Sequence, residues 1–212
     1  NLATTQFGKG GIQDASGWGP RTISHVDLFK VVTKWSVLVT KPDVIPDVMR
    51  RAFRIMLTER KGPVHIDLAS DVIKAEIDAE TWSPETYKPA GRIRGDPALI
   101  QRAAEFLLNA QNPAILSGGG VIASGASPEL LELAELLSIP VATTAMGKSS
   151  FPEDHSLALG VAGGWGHDTA NAVLRRGVTD VLLAIGCIFH QVTTSSWARD
   201  FAGDKIIHVD ID

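Results

Sequence analysis

PAILSGGG, at residues 113–120, joins a short apolar run to three consecutive glycines. An uninterrupted apolar run of this length, bounded by turn residues, is typical of a strand that is buried on both faces of a sheet. Glycines directly after a strand are typical of a turn. The stretch therefore indicates a buried strand that ends in a turn.

Helical patterns flank this strand on both sides. Asp96-Pro97 caps one predicted helix, and Ser127-Pro128 begins another. Their apolar residues recur at helical spacing: Ile100, Ala103, Ala104, Leu107 and Leu108 in the first, and Leu130, Leu133, Ala134 and Leu137 in the second. A third helix is predicted over residues 169–176. Each predicted helix is thus expected to cover part of a sheet.

Further strands are predicted over residues 139–143, 180–185 and 205–209, and a long glycine-rich connection over 145–166. Strands that alternate with helices are joined by right-handed crossovers and lie parallel. Residues 96–212 are therefore predicted to form a Rossmann-like, doubly wound parallel sheet of the α/β class.

The first part of the chain carries a similar but shorter pattern. A predicted amphipathic helix over residues 45–56 leads through Gly62-Pro63 into a predicted strand over 64–68. This is half of an α/β unit, so residues 1–70 are predicted to be the C-terminal part of another α/β domain, with a loop over 1–20. Residues 71–95 lack periodicity and contain several prolines and glycines, which predicts a linker.

Composition excludes several classes of protein. The chain has 212 residues, a net charge of −4 and a single cysteine, Cys187. The absence of a basic field argues against a nucleic-acid partner or an anionic membrane surface, and no apolar run approaches the ~20 residues of a membrane span. One cysteine allows neither an internal disulfide nor a cysteine-based zinc site. We therefore expect a soluble protein in a reducing, cytoplasmic compartment.

The two ends of the sequence are unusual. The chain begins at Asn1 without a methionine and stops at Asp212, directly after the last predicted strand. Ligand loops normally follow a strand of this kind. We therefore expect the chain to be a piece of a longer protein.

In a doubly wound sheet, ligands lie outside the carboxyl ends of the strands. Here these ends carry glycines, at Gly118-Gly119-Gly120 and Gly186, and carboxylates, at Asp210 and Asp212. A nucleotide requires such a combination, because backbone must approach its pyrophosphate and a carboxylate binds its ribose. The G-x-G-x-x-G motif is absent, however, so glycines that merely terminate strands are the alternative interpretation.

Catalytic and metal-binding motifs are not found. None of the six histidines forms an H-x-x-x-H or H-E-x-x-H pair, and G-x-S-x-G does not occur. Cys187 has no identifiable histidine partner, so we interpret it as a packing residue. His65 and His208 lie within predicted strands and are expected to be core residues. We predict no catalytic residue and no metal site within this chain.

Several segments, taken in order, resemble the large thiamine-diphosphate-dependent enzymes related to acetolactate synthase. Residues 60–68, RKGPVHIDL, resemble the strand R-x-G-P-V-x-(I/V)-D-(L/V/I)-P that closes the pyrimidine-binding domain of this family. Further landmarks follow in order and belong to the family's central domain: Gly118-Gly119-Gly120, Thr144-Ala145-Met146-Gly147, Phe151-Pro152 and His208-Val209-Asp210-Ile211-Asp212. The resemblance implies the end of a pyrimidine-binding domain followed by a complete central domain.

This resemblance also implies a reaction and its cofactors. The family uses thiamine diphosphate and magnesium to join or decarboxylate 2-keto acids and aldehydes, and its members form homo-oligomers, as dimers or tetramers. The motifs that hold thiamine diphosphate and magnesium are not found in this chain. Gln13 and Ile12 fall where relatives carry the F-Q of a loop that lines the substrate site of a neighbouring subunit. Ile12 replaces the aromatic residue, which puts the substrate preference in doubt.

Acetolactate synthases also bind FAD on the central domain. The positions that match this site are Arg60, Gly118, Gly119, Gly120, Met146, Gly186, Asp210 and Asp212. Two positions depart from the family pattern: Ile188 stands where G-x-R-F supplies an arginine, and Ala162 stands where a histidine usually follows G-M. FAD, an ADP-type nucleotide and an empty domain are the three interpretations that the sequence leaves open.

The predicted function is that of an internal fragment of a carboligase or decarboxylase, inactive by itself. Two alternatives come from other functional classes. One is a stand-alone module that binds a nucleotide such as FAD, ADP or NAD, and the other is a purely structural domain that mediates oligomerisation.

Overall fold

The computed structural model describes most of the chain, namely residues 2–8, 11–13, 24–58, 60–88, 91, 93–194, 196 and 205–212. It divides into two compact units, Asn1–Ile93 together with Asp212, and Arg94–Ile211. Each unit has its own sheet and its own apolar core.

The first unit contains a four-stranded sheet with the order β2-β1-β4-β3. Its strands are β1 (Leu2–Gly8), β2 (Gly11–Gln13), β3 (Trp35–Val39) and β4 (Val64–Ala69). Its helices are α1 (His25–Lys30), α2 (Ile45–Leu57) and α3 (Ser70–Lys74). β4 pairs in parallel with both β1 and β3, whereas β2 runs antiparallel to β1.

The predicted helix and strand around Gly62-Pro63 are present as α2 and β4. Pro46 lies in the first turn of α2, where its missing N–H removes no helical hydrogen bond. The loop predicted over residues 1–20 is wrong for β1 and β2. Their sequence has no alternation of apolar and polar residues, and they are strands because β4 provides a parallel partner for β1.

The second unit contains a five-stranded sheet, and every pair of neighbouring strands in it is parallel. The order is β7-β6-β5-β8-β9, with β5 (Pro113–Ser117), β6 (Val141–Thr143), β7 (Ala158–Val161), β8 (Val181–Ile185) and β9 (Ile206–Val209). Its helices are α4 (Pro97–Leu108), α5 (Gly119–Ser124), α6 (Ser127–Leu137) and α7 (Asp168–Val173). The predicted Rossmann-like parallel sheet is confirmed.

Alternate residues of the central strands face two separate cores. Ile115 and Leu183 belong to one apolar cluster, with side chains of α4, α5 and α6. Ala114, Leu116 and Leu182 belong to the other, which includes Ala170 of α7. Because successive strand residues point to opposite faces, the sheet is covered by helices on both sides.

One local prediction for this unit is wrong, and two further features differ in detail from the sequence pattern. Residues 145–166 are not only a connection, because β7 lies within them, with Gly160 at φ +83° and a bulge in its pairing with β6. The three glycines do not form a turn alone, because α5 begins at Gly119. The apolar side of α4 is only partly covered: Leu107 is buried, whereas Ile100 and Leu108 are exposed.

The segment 71–95 carries the end of α3 and a single helical turn at Pro84–Thr86. Among the helices that the structure describes, none combines the length and apolar composition needed to cross a membrane.

Candidate functional site

The carboxyl ends of β5, β6, β8 and β9 are joined by hydrogen bonds that continue beyond the strands. The N–H of Gly118 donates to the carbonyl of Ile185 at 2.8 Å, and that of Gly186 donates to Val209 at 2.8 Å. On the other side of β5, the N–H of Thr144 donates to Ser117 at 2.8 Å. The backbone at this edge is therefore held in place on both sides of the central strand.

Three of the predicted cofactor-binding glycines meet one another across this edge. A methyl group added at Gly118 would lie 2.0 Å from the carbonyl oxygen of Gly186, and one at Gly120 would lie 2.6 Å from the Gly186 Cα. One at Gly186 would in turn lie 2.6 Å from the Cα of Gly120. The beginning of α5 and the end of β8 thus touch through backbone, and only glycine permits this approach. We name Gly118, Gly119, Gly120 and Gly186 the glycine crossing.

Gly119 differs from the other three glycines. A methyl group at this position would lie 3.1 Å from the carbonyl oxygen of Met146 and 3.4 Å from its Cβ, which is tight but does not overlap backbone. Met146 lies in a short helical turn that Thr144 stabilises, because its Oγ1 accepts the N–H of Gly147 at 3.0 Å. The Met146 side chain is 82% exposed beside the glycine crossing.

The acidic end of β9 follows next along the edge. Asp210 is half-buried, and its Oδ1 accepts the N–H of Ile211 at 2.7 Å. Its Oδ2 lies 3.7 Å from Nε2 of His208, and the same nitrogen lies 2.9 Å from the carbonyl oxygen of Cys187. The prediction of His208 as a core residue is wrong, because its side chain is 44% exposed. It connects the ends of β8 and β9 instead.

Cys187 is buried directly after Gly186. Burial raises the pKa of its thiol, and the nearby charge of Asp210 acts in the same direction, against the hydrogen bond from the N–H of Phe189. A neutral, buried thiol is a poor nucleophile. This environment agrees with the interpretation of Cys187 as a packing residue.

The loop after β7 is a feature that the sequence analysis missed. Asn171 of α7 is buried, and its amide makes two hydrogen bonds with the backbone of Gly163: its Oδ1 accepts the N–H at 2.9 Å and its Nδ2 donates to the carbonyl at 3.0 Å. Trp165 in this loop is 88% exposed. The sequence Gly163-Gly164-Trp165-Gly166, with a large aromatic residue among glycines, is the signal that could have drawn attention to it.

The remaining predicted site residues belong to the first unit. Ile12 and Gln13 lie in β2, opposite Phe7 and Gln6 of β1, and their side chains lie outside the described part of the structure. Arg60 is exposed after α2, and its carbonyl oxygen accepts a hydrogen bond from Lys34 Nζ at 3.0 Å. Asp212 is exposed and is also grouped with this unit.

A buried polar cluster lies between α1 and the strands β3 and β4. His65 is 1% exposed, its ring stacks on Phe29 at 4.2 Å between centroids, and its Nδ1 lies 2.9 Å from Ser36 Oγ. His65 Nε2 is buried and has no hydrogen-bond partner among the described residues. Burial lowers the pKa of His65, although Asp67 acts in the opposite direction. The ring is therefore held neutral, as a core histidine.

Metal binding has no support in the described part of the chain, since none of its His, Cys, Asp and Glu side chains form a group of three or more that could hold an ion.

Comparisons with known proteins agree with the geometry of the second unit. Residues 100–212 match the family model described as thiamine pyrophosphate enzyme, central domain. The chain is 48% identical over 197 residues to the probable acetolactate synthase large subunit of Methanocaldococcus jannaschii, a match that covers 90% of this chain and 32% of that protein.

Two other relatives also match most of this chain but only about a third of their own length. The acetolactate synthase large subunit of Corynebacterium glutamicum is 40% identical, over 85% of this chain and 29% of its own length. The glyoxylate carboligase of Escherichia coli O157:H7 is 37% identical, over 93% of this chain and 34% of its own length. The chain spans about a third of the length of these relatives.

Proposed function

Since this chain belongs to the family of thiamine pyrophosphate enzymes, through the central domain that it contains, we propose that it is part of a carboligase of the acetolactate synthase type. Its substrates are 2-keto acids or aldehydes. The observation that carries this proposal is that synthases and a carboligase match nine-tenths of the chain, across both units. A stand-alone nucleotide-binding module or a purely structural domain is not favoured, because these relatives are enzymes.

We propose that the two units belong to different domains of the enzyme. Residues 1–70 are the C-terminal part of a pyrimidine-binding domain, residues 71–95 are a linker and residues 96–212 are the central domain. The division of the chain after Ile93 into two units with separate cores supports this arrangement. Gln13 and Ile12 line the substrate site, and the complete enzyme is a cytoplasmic homo-oligomer, a dimer or a tetramer.

Thiamine diphosphate with magnesium is the cofactor of the proposed enzyme. It supplies the carbon nucleophile that breaks and forms bonds next to a carbonyl group. The described residues do not fit a site for magnesium and a diphosphate, because they hold no cluster of metal-binding side chains. No catalytic step is therefore assigned to residues of this chain, and its proposed contribution is to build and support the domains around the site.

A nucleotide on the central domain is the second ligand that the resemblance implies. For FAD or an ADP-type nucleotide, the fit depends on free amides, open space and positive charge at the glycine crossing.

The test is a measurement of product formation. The longer protein that contains this chain, supplied with thiamine diphosphate and Mg²⁺, is expected to convert pyruvate to acetolactate or to condense glyoxylate, whereas the 212-residue chain alone is expected to be inactive. Absence of carbon–carbon bond formation with both substrates would contradict the carboligase proposal. Turnover by the 212-residue chain alone would contradict the proposal that it is only part of the enzyme.

A further inference from the structure

We propose that the glycine crossing of the second unit does not bind the diphosphate of a nucleotide, so that this central domain holds neither FAD nor an ADP-type nucleotide at that edge. The inference uses the proposed function only for the choice of ligands to test. It rests on three properties of the described residues: their amides, the space around them and their charge.

Two of the amides at the beginning of α5, those of Gly118 and Gly120, already donate within the protein. The N–H of Gly118 donates to Ile185 and that of Gly120 donates to Gly186, at 2.8 and 3.0 Å. An anion site at a helix N-terminus depends on N–H groups that point at the ligand and have no other acceptor. α5 is also only six residues long, so it adds little dipole of its own.

The space that these glycines leave is occupied by backbone. Methyl groups at Gly118 and Gly120 would meet atoms of Gly186, and one at Gly186 would meet Gly120. The absence of side chains at these positions therefore serves the contact between α5 and β8. Such a contact explains a run of glycines without a pyrophosphate beside it.

The charge at this edge is also unsuited to a diphosphate. Among the described residues, Met146, which is 82% exposed, lies against Gly119, and Ile188, which is 56% exposed, follows Gly186 by two residues. Asp210 adds a carboxylate, and the cation nearest in sequence to Met146, Lys148, has its Nζ 2.7 Å from Oε1 of Glu153. Diphosphates are normally held by Arg or Lys together with amides, so apolar and acidic neighbours disfavour them.

The test measures nucleotide binding directly. The whole protein is mixed with FAD, and separately with ADP, and bound ligand is measured by ultrafiltration and by flavin fluorescence. We expect no saturable binding up to ~100 µM, since the described residues at this edge do not provide the charged contacts that give micromolar affinity. Stoichiometric binding of FAD that ADP displaces, and that is lost in Ile188→Glu but kept in Ile188→Gln, would overturn the proposal.

Two variants of Ile188 show whether any observed binding occurs at the glycine crossing. Ile188 is exposed, so neither Ile188→Glu nor Ile188→Gln removes core packing, and the two side chains differ only in charge. Binding that is equal in both variants excludes a diphosphate at the crossing and supports the proposal. Unfolding by urea verifies that both variants are folded.

Failure of this inference and failure of the proposed function are distinguishable. Acetolactate formation is measured in the same preparations with and without added FAD. Activity that does not depend on FAD, with no bound flavin, agrees with both proposals. Bound flavin that is lost in Ile188→Glu but kept in Ile188→Gln overturns only the inference about the crossing, whereas absence of product overturns only the carboligase proposal.

Discussion

At the scale of single residues, a glycine is required either by its backbone angles or by the space around it. Gly186 has φ +58°, in the left-handed region, and also touches Gly120 through backbone. Gly118 and Gly120 are required by space, because the end of β8 occupies the position of a side chain. Gly119 meets neither condition fully. These four glycines therefore differ in what a substitution costs.

Gly120→Ala is expected to lower the free energy of unfolding by about 2 kcal/mol or more, because a methyl group cannot fit against the Gly186 backbone without moving β8. Gly119→Ala is the matched control, and we expect a change within about 1 kcal/mol, since its methyl group would lie 3.1 Å from the carbonyl oxygen of Met146 without overlapping it and alanine favours a helix. Urea denaturation measures both. Equal stability of the two variants in the absence of any nucleotide would contradict the packing role of the crossing.

Cys187 is expected to react slowly with thiol reagents in the folded protein. Its thiol is buried and burial raises its pKa, so little thiolate is accessible at neutral pH. Labelling with a chromogenic disulfide reagent is expected to become rapid only in urea, and the count is unambiguous because the chain has one cysteine. Labelling of the native protein at the rate of a free thiol would show that the residue is accessible.

At the scale of the elements, Asp180 joins the turn between α4 and β5 to the start of β8. Its carboxylate oxygens accept the N–H groups of Gln111 at 2.7 Å and Asn112 at 3.0 Å. Burial alone would raise the pKa of Asp180, but these backbone hydrogen bonds outweigh it and hold the pKa below its ordinary value. The two central strands are thereby fastened at the end opposite to the glycine crossing.

Asp180→Ala is expected to lower the free energy of unfolding at neutral pH by about 1 kcal/mol, a modest value because the carboxylate is partly exposed to solvent. Since the folded-state pKa is depressed, the stabilisation is present above the ordinary pKa of 3.8 and is lost as the pH falls through the folded-state value. Urea denaturation at several pH values measures this difference. Asp154→Ala, in an exposed turn, is the control, and an equal effect of both variants would contradict the role of Asp180.

The buried histidine between α1 and the first sheet should make that unit sensitive to acid. His65 is neutral in the folded unit and its pKa is lowered, so the unfolded chain binds a proton first as the pH falls below 6.5. The free energy of unfolding is therefore expected to fall with pH below that value, with a slope of up to ~1.4 kcal/mol per pH unit. His65→Leu removes this slope, although it also removes the contact with Ser36 at every pH.

His190→Gln is the control for this measurement, because His190 is exposed. A series of urea denaturations between neutral and mildly acidic pH compares the three proteins. A slope that persists in His65→Leu would assign the acid sensitivity to another group.

At the scale of the whole molecule, the apolar cores are contained within the units. Both clusters that sandwich the five-stranded sheet lie between Leu107 and Cys187, and the cluster of the first unit lies between Val39 and Val72. Apolar burial is the main stabilising contribution to a domain. Each unit therefore has the packing that independent folding requires.

A chain of residues 94–211 is expected to fold by itself and to unfold cooperatively in urea, with Gly120→Ala destabilising it as in the longer chain. A chain of residues 119–211 lacks α4 and the central strand β5, and we expect it not to fold. Circular dichroism and urea denaturation compare the two. A non-cooperative transition in the longer piece would show that the second unit depends on residues outside it.

The sequence by itself determined the α/β class, the parallel sheet of the second unit and the family, because long apolar periods and ordered motifs are local properties of the chain. It predicted the strands around residues 113–117 and 180–185 closely. Only the tertiary structure decided that residues 2–8 and 158–161 are strands, since polar residues in the first and Gly160 in the second obscure a strand pattern, and their pairing with β4 and β6 makes them strands. It also brought Gly186 against Gly118 and Gly120, a backbone contact that the triple glycine cannot reveal, because the two segments lie far apart in the sequence.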